Sequence, residues 1–181
     1  MEVDKIHKIG QGFEVDKMRK TKVTSIFQKE EKTSDDLNFV DHYITTYLPE
    51  LSKTLKSKFP KAAYEKIYSN FKYQKLSSEE EVFNKQNWDK TFYYVLSGKL
   101  VWNGVKKSSD EGAASEKIAL ESFNKNSIVS HDKLKASVTE NSGKYDDLCC
   151  NCAEESEVIS ISVETFERIG KEFEDQAKSL K

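Results

Sequence analysis

Arginine is nearly missing from this chain: of its 29 basic residues only Arg19 and Arg168 are arginines. The planar guanidinium fork grips phosphate and carboxylate through paired hydrogen bonds, so bidentate anion clamps are almost excluded. Cysteine is also scarce. Cys149, Cys150 and Cys152 are odd in number and crowded into one segment, which does not suit a secreted disulfide framework. No apolar run reaches membrane-spanning length, and the opening MEVDKIHKIG has acids at once and no apolar segment of the signal-peptide kind. Charged residues make up 33% of the chain yet cancel to −2, which argues against a general nucleic-acid binder or a polybasic membrane tether. A Gly-rich phosphate loop, a nucleophile elbow and an HExxH string are all absent. These absences lead to the expectation of a soluble cytoplasmic protein that is not an enzyme and needs no cofactor.

What is present falls into segments. Residues 1–35 mix Lys with Glu, at 8 basic to 6 acidic over 1–33, and carry isolated apolar groups. They read as an extended or disordered arm, either a plain tail or a partner-binding strap anchored by Ile6, Ile9, Phe13, Ile26 and Phe27. A helical lead-in is expected over 36–72, capped at Ser34 or Asp35, with Leu37, Val40, Ile44 and Leu48 on one side. The chain's two prolines, Pro49 and Pro60, suit the first turns of two further helices.

Over 73–162 the pattern turns to short strands, expected at about 73–76, 80–84, 91–97, 99–103, 117–123, 127–130, 134–139, 147–152 and 156–161. Phe92, Tyr93, Tyr94, Val95 and Leu96 form a run suited to a strand packed on both faces. Ser97-Gly98 is a tight-turn signal, and 106–116 reads as a polar loop. Val163, Phe166, Ile169, Phe173 and Ala177 trace an amphipathic final helix over 163–181. Helices, many strands and a closing helix describe a mainly β domain with flanking α.

The segment EEVFNKQNWDKTFYYVLSGKLVW resembles the second and third strands of the cyclic nucleotide-binding domain family. Val82, Phe83, Phe92, Tyr93, Val95, Leu96 and Gly98 stand in register with its pattern. CAEESEVISISVETFERI is similar to the family's last two strands and the opening of its terminal helix. The lead-in segments NFVDHYITTYLPELSKTL and KAAYEKIYSNFKYQKL fit as well, so the resemblance covers roughly 37–180. It implies a β jelly roll with a helical lead-in and a C-terminal helix.

The resemblance also implies a phosphate cassette: a Phe-Gly-Glu turn, a short helix, and an Arg near the start of the next strand. Glycine lets the backbone approach the phosphate, the helix N-terminus supplies N–H donors, Glu takes a ribose hydroxyl, and Arg clamps the phosphate. Here FNKNSIVSH places Val129, Ser130 and His131 at the Phe-Gly-Glu position, and the Arg position falls at Asp146 or Asp147. Gln86 replaces an earlier family glycine. Losing one partner of a buried charged pair costs on the order of 2–5 kcal/mol, and a carboxylate in place of the cation also repels the phosphate. Lys133, Lys135 and Lys144 are the nearby cations, and each offers a point charge without the fork. Ser130, His131, Asp146 and Asp147 are therefore expected to mark a vestigial pocket, with the cassette helix replaced by a strand or loop and cyclic nucleotide not bound.

Other constellations have plainer readings. Cys150 and Cys152 alternate onto one strand face as small core groups, and the histidines His7, His42 and His131 have no zinc spacing relative to them. Ser130-His131-Asp132 spells a triad, but neighbours in an extended chain point apart, so an exposed turn is expected. Trp88, Trp102 and the 92–94 aromatics lack the basic groove of a base-stacking platform. The expected role is a non-catalytic structural protein that docks protein partners in a larger complex, with no nucleic acid and no membrane. The family's degenerate members in cilia, flagella and the cytoskeleton set that expectation. The alternative is a cyclic-nucleotide-responsive regulatory subunit with an atypical pocket, in which ligand moves the terminal helix around Phe166 and Phe173.

Overall fold

The computed structural model describes the backbone of residues 2–107 and 114–179, and the side chains of 15–107 and 114–175. The centre of the polar loop expected at 106–116, the side chains of Ile6, Ile9, Phe13 and Ala177, and residues 180–181 lie outside the described residues. The chain divides into two compact units, Met1–Phe71 and Lys72–Lys181. No helix among the described residues is long and apolar enough to cross a membrane.

The first unit is helical: α1 (Glu2–Phe27), α2 (Ser34–Tyr47), α3 (Pro49–Lys58), a 3-10 turn (Lys61–Ala63) and α4 (Tyr64–Asn70). The extended or disordered arm expected over 1–35 is therefore corrected to a helix over most of that length. Its C-terminal half has a stripe that can be buried: Val23, Ile26 and Phe27 are core residues, and Phe27 meets Phe71 edge-to-face at 6.0 Å. Ile26 and Phe27, expected to hold a partner, are taken up inside the chain. Polar contacts reinforce the same half of α1. Arg19 donates to the Tyr47 hydroxyl and lies over its ring, Tyr47 donates to Asp16, and Lys22 sits over Phe39.

The cap of α2 is Thr33, just before the two expected positions, Ser34 and Asp35. Its hydroxyl accepts from the Asp36 N–H while Asp36 accepts from the Thr33 N–H, forming a reciprocal capping box. The Thr33 N–H first, and Lys29 at 3.1 Å second, hold the Asp36 carboxyl below the usual carboxylate range. Pro49 occupies the first turn of α3, where a missing N–H has no cost. Pro60 is followed by the 3-10 turn before α4 begins.

The second unit holds β1 (Lys72–Leu76), β2 (Glu81–Asn84), β3 (Thr91–Ser97), β4 (Lys99–Lys106), β5 (Glu116–Asn124), α5 (His131–Glu140), β6 (Asp147–Cys152), β7 (Ser156–Ser162) and α6 (Val163–Ser179). The strands form two antiparallel sheets of order β1-β7-β3 and β2-β6-β4-β5. The strand expected at 127–130 is reduced to a bridge between Ile128 and Tyr94. Its backbone still runs beside β3, with Val95 N–H donating to Ser127 and Val129 N–H to Tyr93. Counting that segment, the order is that of an eight-stranded jelly roll. The fold is thus the β jelly roll with flanking helices that the resemblance implies.

The strand expected at 134–139 is corrected: those residues belong to α5. Leu134, Ala136 and Val138 alternate as in a strand, yet Leu134, Ser137 and Val138 also match a helical face, and Ser130 supplies the N-cap. Between the sheets lie Phe83, Val95, Leu100, Trp102, Phe123, Cys150 and Val158, with Leu134 of α5 packed into the same core. Ser97-Gly98 turns β3 into β4 at φ +84° for the glycine, and a Cβ there would strike Ser156 Oγ and lie 2.6 Å from the Glu155 carbonyl oxygen.

Candidate ligand site

The residues singled out for the cassette gather around the N-terminus of α5, and each has a local task. Ser130 caps the helix, accepting from the Lys133 N–H at 3.3 Å. His131 Nε2 lies 3.0 Å from the Thr91 carbonyl oxygen, so that nitrogen carries a hydrogen and donates it to β3. The imidazole stacks on Phe92 at 4.5 Å and meets the edge of Trp88 at 5.8 Å, while Phe92 touches Phe166 of α6 at 4.9 Å. A chain of four rings thus runs from the β2–β3 connection through the start of α5 to the terminal helix. In Ser130-His131-Asp132, His131 is turned towards Thr91 and Asp132 is exposed on the first turn of α5, so the string has no triad geometry.

The two carboxylates at the family's Arg position bond to nearby backbone. Asp146 Oδ2 accepts from the Lys107 N–H at 2.6 Å, and Asp147 Oδ1 accepts from the Leu148 N–H at 2.8 Å. They stand at the entry of β6, and Asp146 is exposed whereas Asp147 is half-buried. Lys133, Lys135 and Lys144 are all exposed, on α5 and the turn after it.

Three residues that sequence reasoning did not assign to the site secure α5 and the neighbouring strand β4. The Trp102 indole donates to Ser137 Oγ at 3.1 Å, which ties β4 to the middle of the helix. Asn141 donates to the Ser137 carbonyl at 2.7 Å, fastening the helix end. Tyr145 lays its ring over Gly104, where a Cβ would come within 2.6 Å of the ring carbons. Tyr145 stands immediately before Asp146 and Gly104 lies within β4, but nothing local in the sequence signals that the two meet.

The cysteine segment is β6. Cys150 and Cys152 belong to the core between the sheets, and Cys149, on the alternate face, donates its thiol to Asn151 Oδ1 at 3.2 Å. All three are free thiols, and burial pushes each of them above the ordinary thiol range. Among the described residues no group of His, Cys, Asp and Glu is arranged to hold a metal ion.

Neither a protein-family model nor a curated protein matches the chain. Several solved structures are similar to it. The sensor domain of the transcriptional regulator DNR from Pseudomonas aeruginosa is 15% identical at a TM-score of 0.45, over 67% of this chain and 77% of that one. A putative transcriptional regulator of the crp/fnr family from Eubacterium rectale is 20% identical at a TM-score of 0.45, over 65% and 50%. The regulatory subunit of a cAMP-independent protein kinase A from Trypanosoma cruzi, bound to guanosine, is 10% identical at a TM-score of 0.45, over 76% and 46%. The chain thus spans about half the length of the latter two. At these identities nothing about individual site residues carries across.

Proposed function

We propose that the chain is a non-catalytic interaction protein that uses a cyclic nucleotide-binding-like domain as a docking module in a larger assembly. The observation that carries this reading is His131. It stands where the family's ribose-binding Glu would stand, stacked on Phe92 and bonded to Thr91. Asp146 and Asp147 add negative charge where the family's Arg would neutralise a phosphate, and both are engaged with backbone. Trp102 is tied to Ser137 of α5, and the Tyr145 ring covers Gly104 of β4. Docking falls to the N-terminal part of α1, which carries Ile6, Ile9 and Phe13. A cytoplasmic setting within a cytoskeletal or ciliary assembly is part of this proposal.

The second reading, a nucleotide-responsive regulator, draws support from one feature. A helix stands at the cassette position, linked through His131 and Phe92 to Phe166 of the terminal helix. Isothermal titration of the full chain with cAMP and cGMP separates the two. The docking proposal expects no saturable heat, and micromolar binding of either nucleotide overturns it in favour of the regulator. The complementary measurement is the size of the protein in native cell extract, where a free monomer without a stable partner counts against docking.

A further inference from the structure

Two turns far apart in sequence meet at one end of the jelly roll. The Glu79 N–H donates to the Cys152 carbonyl at 2.8 Å, and the Cys152 N–H donates to the Glu80 carbonyl at 3.0 Å. These bonds set Glu79 and Glu80 of the β1–β2 turn, with Glu81 at the start of β2, beside Glu154 and Glu155 of the β6–β7 turn. All five glutamates are exposed. The cations alongside are few: Lys75 is paired with Glu155 at 2.9 Å, and Lys99 is half-buried. Glu79, Glu80, Glu81 and Glu154 make no ion pair among the described residues. Carboxylates gathered this closely repel one another, and a cationic surface relieves that repulsion on contact.

The helical unit has the opposite character. Between Pro49 and Lys66 five lysines stand against two glutamates. Lys53 and Lys56 border one shallow hollow with Thr45 and Ser52, and Lys56 and Lys61 border the next, so the three lysines form one continuous, exposed stretch. None of the three makes an ion pair among the described residues. Asp41, the carboxylate in that stretch, accepts from the Tyr68 hydroxyl at 2.7 Å. Taken by unit, residues 1–71 hold 13 basic groups against 11 acidic, and residues 72–181 hold 16 against 20. The chain thus carries both halves of a charge-complementary contact, and its net charge of −2 sets little overall repulsion between copies.

We propose that the chain associates head to tail with a second copy of itself, the Glu79–Glu81 and Glu154–Glu155 end of one copy meeting the Lys53–Lys56–Lys61 stretch of the next. The two surfaces differ, so the contact is heterologous and leaves one of each exposed at the ends of a growing row. Exposed ion pairs are individually weak and screened by salt, so the association is transient and salt-sensitive. The α1 stripe proposed for docking takes no part, and the two proposals stand or fall separately.

The experiment is sedimentation velocity on the full chain between about 10 μM and about 1 mM, at about 20 mM and about 500 mM salt. The mass is expected to rise with concentration at low salt and to stay that of a monomer at high salt. The double variant Glu81→Gln/Glu154→Gln removes charge from one surface, and Lys53→Gln/Lys56→Gln removes it from the other. All four side chains are exposed, and circular dichroism checks that both variants fold. Each variant alone is expected to associate at least about ten-fold more weakly than wild type. Mixed in equal amounts they are expected to recover association, stopping at a pair because each has a single working surface. A monomer at every low-salt concentration overturns the inference. So does association that salt leaves unchanged, wild-type association in either variant alone, or a mixture of the variants that stays monomeric.

Discussion

At Trp102 the side chain's bulk and its single polar atom make separate demands. The ring is wholly buried between the sheets against Phe83, and its N–H reaches Ser137 on α5. Trp102→Ala is expected to cost about 3–5 kcal/mol, read as a drop in urea midpoint at unchanged slope. Ser137→Ala removes only the acceptor and leaves a buried N–H unpaired, at a cost of about 1–3 kcal/mol in the same measurement. Gly98 makes a third demand, set by backbone alone. Gly98→Ala meets both a positive φ and the Glu155 carbonyl, and should lower stability by roughly 1–3 kcal/mol. A stability unchanged by that substitution would mean the β3–β4 corner tolerates a different turn.

Among the elements, the start of α2 and the end of α1 give the sharpest tests. Thr33→Ala breaks the capping box and is expected to cost about 1 kcal/mol. Asp36 has its carboxyl held low in the folded state, so its contribution is present above the unfolded carboxylate value and lost as pH falls through the lower folded one. Comparing wild type with Asp36→Asn by denaturation should therefore show a gap at neutral pH that closes in acid; a gap that persists in acid would point to a cause other than the carboxylate's charge. Ile26→Ala should cost about 2–5 kcal/mol, as a core residue does and an arm residue does not.

These same elements mark where the sequence was readable. The strands around DKTFYYVLSGKLVW were legible because their apolar and aromatic runs are dense and the Ser97-Gly98 turn is chemically explicit, although the two strands enter different sheets. The end of α1 was not: Val23, Ile26 and Phe27 are few among lysines, and Phe27 packs on Phe71, more than forty positions away. α5 hid behind an ambiguity, since Leu134, Ala136 and Val138 satisfy a period of two while Leu134, Ser137 and Val138 satisfy a helix. The positions Ser130, His131, Asp146 and Asp147 could be named from spacing, but the bonds of His131 to Thr91 and of Asp146 to Lys107 arise from chain crossings that no local pattern encodes.

For the whole molecule, the three thiols of β6 give the protein a built-in chemical clock. The thiolate is the form that attacks an alkylating or disulfide reagent, and here burial opposes both its formation and the reagent's approach. Labelling in native buffer should therefore wait for β6 to leave the sheet it shares with β2 and β4. Cys149, on the outer side of that sheet, should react ahead of Cys150 and Cys152, whose labelling then follows the opening of the interior. Mass spectrometry of timed aliquots would resolve the order, and simultaneous modification of all three would mean that the strand detaches as one piece. Any occupant of the jelly roll that holds the two sheets together would slow that clock.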